Sequence, residues 1–184
     1  MKFEKEKKPE EMANKVLKED LKIPILKAGQ SGLNLGAGDL KFAGWLNHDK
    51  EMWDLNNFPY PWKEHTFDYV ILHHVIEHLE PENQKKAVRE CSRILKQGGK
   101  LIMHYPHYSG PTAKLSGHYT QLSRNSFGIE LGFSTREITL LPSQYRRRPI
   151  TKWFINRLGN YYEKLNICYV PFLGCFEVQV VFVK

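Results

Sequence analysis

The rhythm of apolar positions changes at Leu33. Ahead of it, residues 1–30 are dense in Lys and Glu. Only Glu10–Leu21 shows a helical period there, with Met12, Val16 and Leu17 on one face. This stretch reads as an N-terminal arm or capping helix. From Leu33 onward, short apolar runs alternate with glycine turns. Leu33-Asn34-Leu35 predicts a strand running into Gly36-Ala37-Gly38-Asp39, and Trp45–Asp49 predicts a second strand ending in an acid. Phe67–Leu72 is apolar and β-branched, as a strand buried on both faces requires. After Pro81, the residues Ala87, Val88, Cys91, Ile94 and Leu95 share a helical face. The spacing predicts a helix that stops at Gly98-Gly99, where glycine suits a left-handed cap. Lys100–His104 is the next strand, closed by Tyr105-Pro106. Strands and helices alternating at these lengths predict an α/β domain with a Rossmann-like, mostly parallel sheet.

The C-terminal third has another pattern. Arg136–Leu141 and Phe176–Val183 read as strands, and Val178, Val180 and Phe182 alternate on one face of the second. Between them a helix is expected from Pro149, with Ile150, Trp153, Phe154 and Leu158 on one side, followed by Tyr161, Tyr162, Tyr169 and Phe172. A terminal strand pair enclosing such an insertion predicts an antiparallel C-terminal edge.

Composition narrows the class. The 184 residues are 41% hydrophobic and 26% charged, which fits one globular core and excludes a disordered, collagenous or disulfide-built chain. The start, Met1-Lys2-Phe3-Glu4-Lys5, lacks the apolar stretch of a secretion signal, and no run is long enough to span a membrane. Cys91, Cys168 and Cys175 are odd in number and form no CxxC pair, which suits a reducing cytoplasm. The net charge is +7, of which residues 141–184 carry +5. Such a basic excess serves solubility, or attracts nucleic acid, acidic lipid or anionic metabolites. Arg146-Arg147-Arg148, ahead of Trp and Tyr, is the segment that could grip RNA.

A strand ending in Gly-x-Gly brings the backbone close to a ligand, at the strand ends where open α/β sheets bind cofactors. A dinucleotide site would need a third glycine and an acid about 20 residues on. Here Lys41 takes the third position and Asp49 comes only 13 residues after Gly36. The six residues Asp39–Gly44 are too few for a crossover helix, although an extended loop of that length can return along a short strand. An adenosine cofactor without phosphates fits better: an acid at the end of the second strand can accept hydrogen bonds from both ribose hydroxyls, and the backbone at Gly36–Gly38 can face an amino-acid tail. That describes S-adenosylmethionine.

The ordered motifs LNLGAGD (33–39), GWLNHD (44–49), the stretch 54–81 ending HHVIEHLEP, and RILKQGGKLIMHYPH (93–107) resemble class I S-adenosylmethionine-dependent methyltransferases. The likeness is to a small subgroup with a short first connection and a G-W-x-N-x-D second strand. It covers roughly residues 31–141, and it implies a methyltransferase domain over 31–184 with a helical, aromatic insertion at about 144–173. The resemblance places Gly36, Ala37 and Gly38 at the methionine end, Asp49 on the ribose, Asp54 and Leu55 beside the adenine, and His73 near the methyl group. Asn34 stands where many relatives carry an acid that contacts the cofactor's ammonium group. The shortened first crossover also removes a helix that usually covers the pocket.

Histidines crowd the next strand ends. His73, His74, His104 and His107 fall on one rim of the sheet, with His118 in a later loop. A histidine there suits proton transfer from a hydroxyl or amine acceptor, and His73, His74 and His107 are the candidate catalytic residues. His74, Glu77 and His78 could converge on one helical turn, as in methyltransferases that carry E-x-x-E-H and bind a divalent metal. The sulfonium methyl is already electrophilic, so we expect turnover without metal and Glu77 and His78 fastening the turn to backbone amides. The metal set His74, Glu77 and His78 is the alternative. The sequence predicts methyl transfer to oxygen or nitrogen of a small molecule roofed by residues 108–128 and 144–173. RNA, a protein acceptor or a silent RNA-binding module are the alternatives, and oligomeric state is open.

Overall fold

The computed structural model describes residues 23–142, 175–184 and the single positions Trp153 and Arg157. The expected helix at Glu10–Leu21, the arginine run 146–148, and the 144–173 insertion apart from those two positions lie outside the described residues.

Six strands form one sheet in the order β2-β1-β3-β4-β6-β5. They are β1 (Gly32–Leu35), β2 (Leu46–His48), β3 (Phe67–His73), β4 (Leu95–Pro106), β5 (Thr135–Pro142) and β6 (Cys175–Val183). The first four run parallel, and β6 enters antiparallel between β4 and β5. The Rossmann-like, mostly parallel sheet expected from the sequence is present. One face packs on helix α1 (Pro81–Ile94), which buries Ala87, Val88, Cys91 and Ile94. Leu33, Leu35, Val70, Leu72, Leu101, Met103 and Tyr105 meet it from the sheet, with Val178, Val180 and Phe182 completing the core. The alternate residues Ile71 and Ile102 bury into a smaller cluster on the opposite face with Phe42 and Trp45.

Two boundaries differ from expectation. Helix α1 ends at Ile94, and Leu95 is already extended and fully buried as the first residue of β4. Leu95 continues the helical phase of Cys91 and Ile94, so periodicity alone cannot separate helix from strand there. Pairing with Phe67 decides it. Gly98, at φ +74°, is therefore a kink within β4, opposite the register shift between Phe67 and Tyr69, and caps no helix.

The link from β1 to β2 is a loop, as its length requires, and the strands pair in parallel with Leu33 against Leu46 and Leu35 against His48. Two asparagines close it. Asn34 Nδ2 donates to Leu40 O at 2.7 Å and to Asn47 Oδ1 at 3.1 Å. Asn47 Nδ2 donates to Phe42 O and Trp45 O, while Asn47 Oδ1 accepts Phe42 N–H. The loop lays Trp45 across β1, so close that a Cβ on Gly32 would stand 2.4 Å from Trp45 Cε3.

Two carboxylates tie the bottom of the sheet and the start of the β3 region. Asp68 is pulled up by partial burial, but Lys96 Nζ at 2.7 Å and the Ser31 amide and hydroxyl outweigh this and hold it below the usual carboxylate range. Glu90 is held low first by the Arg93 guanidinium, against partial burial, and then by the Tyr60 N–H. Groups depressed in the folded state stabilise it above their unfolded pKa, about 4, and lose that contribution as pH falls through the lower folded value. Urea melts between about pH 6 and pH 3 should therefore show stability falling on acidification. Glu90→Gln should flatten part of that slope.

Candidate functional site

A cleft of about 230 Å³ opens at the carboxyl ends of β1, β2 and β3. Gly36, Asp49, Lys50, Trp53, Asp54 and Leu55 line one side, and His74, Val75, His78 and Leu79 the other. Gly36 has φ +64°, and a Cβ there would lie 2.5 Å from Val75 Cγ2. Glycine is thus required twice, for the turn and for the closeness of the 75–79 segment. Gly38 is also left-handed, at φ +46°, but nothing stands within 4 Å of its missing Cβ.

Asp49 follows β2 directly. Its Oδ2 accepts Gly38 N–H at 2.9 Å and its Oδ1 accepts Lys50 N–H at 2.8 Å. Each oxygen keeps acceptor capacity for a ligand hydroxyl, since a carboxylate offers about four lone-pair sites. Ala37 N–H donates to His48 O, which holds the glycine turn to the end of β2. Asp54 Oδ1 accepts Asn56 N–H, an Asx turn that fixes the wall carrying Trp53, Leu55 and Asn56. Sequence reasoning missed Trp53, although a tryptophan one residue before the Asp54-Leu55 pair was the available signal.

Among the sequence candidates, Gly36, Asp49, Asp54, Leu55 and His74 line the cleft, with Ala37 and Gly38 on the turn beside it. Asn34 does not. It is buried on the opposite sheet face, where its amide clamps the β1–β2 loop. A residue between Leu33 and Leu35 must point away from their side, and the short loop claims its side chain. His107 is likewise not among the lining residues. It is buried with Nδ1 2.7 Å from Ser109 Oγ and its ring against Tyr108.

The histidine motif does not form one triad. His74 takes φ +53°, unusual for a side-chain-bearing residue, and its N–H donates to His104 O. The following Ile76–His78 turn is 3₁₀, which rotates His78 away from His74 relative to an α-helix. His74 Nδ1 lies 3.0 Å from Glu77 Oε1, whereas His78 Nδ1 lies 2.9 Å from Gly117 O. His78 therefore fastens the turn to backbone as expected, while the Glu77 carboxylate turns to His74 instead of a backbone amide. Two groups result. His73, His74 and His104 bring ligand atoms within 4.8 Å of one another, and so do Glu77, His78 and His118.

Glu177, on β6, joins the first group. Its carboxylate stands 3.6 Å from His74 Nε2 and 3.4 Å from His104 Nε2. The sequence signal for it was available, since inward Val178 and Val180 put Glu177 and Gln179 on the face of His104. Burial lowers the basicity of His74, but hydrogen bonds to Glu177 and Glu77 overcome this and raise its pKa to about 9. Burial, with His74 adding to it, pushes His73 down to about 4. His104, almost fully buried and stacked on His73 at 5.1 Å between centroids, is also pushed down.

Residues 33–103 match the model of a methyltransferase domain family. A 43-residue stretch is 42% identical to an uncharacterised protein of Methanocaldococcus jannaschii, covering 23% of this chain and about a fifth of that relative's length. The fold is similar to a SAM-dependent methyltransferase from Archaeoglobus fulgidus, at 16% identity and TM-score 0.60, over 93% of this chain and 94% of that one. It is also similar to phosphoethanolamine N-methyltransferase 2 of Haemonchus contortus in complex with S-adenosyl-L-methionine, at 18% identity and TM-score 0.55, over 94% of this chain and 52% of that one. A third likeness is to a putative sarcosine dimethylglycine methyltransferase from Galdieria sulphuraria, at 15% identity and TM-score 0.57, over 94% of this chain and 85% of that one. Among the described residues no helix is long and apolar enough to cross a membrane.

Proposed function

We propose that this chain is a class I S-adenosylmethionine-dependent methyltransferase that binds S-adenosylmethionine in the cleft at Gly36 and Asp49 and methylates an oxygen or nitrogen of a small molecule. The observation that carries the reading is the joining, in one cleft, of a side-chain-free turn at Gly36 to the carboxylates Asp49 and Asp54. The donor and acceptor chemistry fits the cofactor. The carboxylate after β2 retains acceptor capacity, Trp53, Leu55 and Leu79 offer flat or apolar surface for a base, and the Gly36 turn leaves room for the chain's closest approach. When bound, the cofactor supplies a methyl group on a cationic sulfonium, which makes it electrophilic.

The protein's own contribution is binding and orientation. Asp49 is proposed to hold the ribose hydroxyls, Asp54 and Leu55 the adenine, and Gly36, Ala37 and Gly38 the amino-acid end. His74 lines the cleft opposite Asp49, with His73 behind it at 4.6 Å between ring centroids, so positioning an acceptor in line with the methyl is proposed to fall to His74, supported by His73. A small acceptor is favoured because the loop after β4 closes over this rim. Tyr119 N–H donates to Glu77 O, Gln84 Nε2 donates to Thr120 Oγ1, and His78 meets Gly117 O. These ties leave a recess where a broad nucleic-acid face would need open surface. The small amines named for two of the structural relatives agree with this reading.

Calorimetric titration with S-adenosylmethionine and its demethylated product tests it. Both should bind, and Asp49→Ala should weaken both equally, by about 1.5–3 kcal/mol, since the ribose is the same in each. Failure of the unmodified protein to bind either at millimolar concentration would overturn the reading.

A further inference from the structure

A metal centre is assembled here from residues that no local sequence spacing brings together. We propose that His74, His104 and Glu177, with His73 as the fourth donor, form a site for a zinc-class divalent cation at the carboxyl ends of β3 and β4.

The distances point to it. Glu177 Oε1 lies 3.6 Å from His74 Nε2, and Glu177 Oε2 lies 3.4 Å from His104 Nε2, so the two carboxylate oxygens each face one imidazole. Good hydrogen bonds to nitrogen fall at about 2.7–3.2 Å, so both separations are stretched, including the Glu177 bond that raises His74. Bonds of about 2.0–2.1 Å arranged tetrahedrally put neighbouring donor atoms about 3.3–3.4 Å apart. Donors held apart at that spacing are arranged for an ion between them.

His104 supplies an independent observation. It is 3% exposed, yet neither ring nitrogen has a hydrogen-bond partner. A buried imidazole left without partners is costly unless something else engages it. The third observation is Glu77, almost wholly buried, whose Oε1 sits 3.0 Å from His74 Nδ1. A carboxylate on the far nitrogen fixes the ring so that Nε2 faces the metal, the usual arrangement behind a metal-bound histidine. Three imidazoles and one carboxylate favour zinc over magnesium or calcium, which prefer oxygen donors. The competing group, Glu77, His78 and His118, has His78 Nδ1 engaged by Gly117 O and shares Glu77 with His74.

The ion's use rests on the function proposed above. Seated beside the cleft that His74 lines, and expanding from four ligands to five, it would take an acceptor hydroxyl into coordination and lower its pKa before methylation. This use runs opposite to the expectation of turnover without metal. Its binding, however, is measured without any acceptor.

The full chain, stripped with chelator, is titrated with Co²⁺, whose visible ligand-field bands report low-coordinate nitrogen ligation. One equivalent should saturate the bands, and Zn²⁺ should bleach them. His104→Ala and Glu177→Gln should abolish them, and Glu77→Gln should weaken binding about ten- to a hundredfold. His78→Ala and His118→Ala should bind as the parent does. Each variant is also titrated with S-adenosylmethionine. Retained cofactor binding shows that the variant is folded, and if His104→Ala fails there, the partly exposed Glu177→Gln decides. Absence of bands in the parent protein would overturn the proposal, as would bands lost in His78→Ala or His118→Ala but kept in His104→Ala. Cobalt binding without cofactor binding would leave the metal site standing and remove the methyltransferase reading. The reverse result would do the opposite.

Discussion

Gly36→Ala is expected to remove S-adenosylmethionine binding by at least about thirtyfold, while Gly38→Ala weakens it far less. Both glycines are left-handed, so both substitutions meet the backbone penalty of about 1–2 kcal/mol. Only at Gly36 does the new methyl also collide, 2.5 Å from a Val75 carbon that is itself buried against the core. Val75 cannot retreat without moving the Ile76–His78 turn behind it. That overpacking adds about 1–3 kcal/mol, and the sum falls on the turn that shapes the cleft. Calorimetry on the two variants, with melting temperature as the control, checks the contrast. Equal losses at both positions would show that conformation alone matters there and that the closeness of Val75 does not.

Trp45→Ala should cost about 3–5 kcal/mol of folding stability, the range for deleting a large buried aromatic. Trp45 is 8% exposed and packs edge-on to Phe42 and against Tyr69. It covers the sheet face that a helix after β1 would otherwise shield. In the same region Gly32→Ala alone should be destabilising, because its methyl would overlap the indole. In the Trp45→Ala background that methyl enters vacated space and should cost little. The non-additivity, read by urea denaturation of the two single variants and the double, is the signature of direct contact. Additive losses would mean that Trp45 and Gly32 act separately.

What the sequence made legible follows from how local each feature is. The strands from Leu33 to Tyr105 announced themselves because burial on one or both faces writes a period of two or an unbroken apolar run. The parallel return of β2 through a loop followed from counting residues, since six are too few for a helix. The end of α1 was hidden because Leu95 satisfies helical phase and strand burial alike, and only pairing with Phe67 separates them. The role of Asn34 was hidden for a related reason: its neighbours define its face, yet its partners, Leu40 and Asn47, are set by a loop whose path no pattern reveals. The histidine motif was read as one α-helical turn, whereas a left-handed residue and a 3₁₀ turn send His74 and His78 to different neighbours. Alternation with Val178 and Val180 places Glu177 on the face of His104, but only the pairing of β4 with β6 brings it to His74, more than 100 residues earlier.

The placement of β6 bears on the order in which the molecule is put together. β5 is made first, yet its sheet partner is β6, which follows more than 30 residues later. Until β6 arrives, β4 shows an open edge and β5 has no strand to join, so the closing step is a long-range insertion of the slow kind. The same insertion delivers Glu177 to His74 and His104. The residues that line the Gly36–Asp49 cleft thus all precede β4 in the chain, whereas the histidine–carboxylate cluster waits on a strand near its far end.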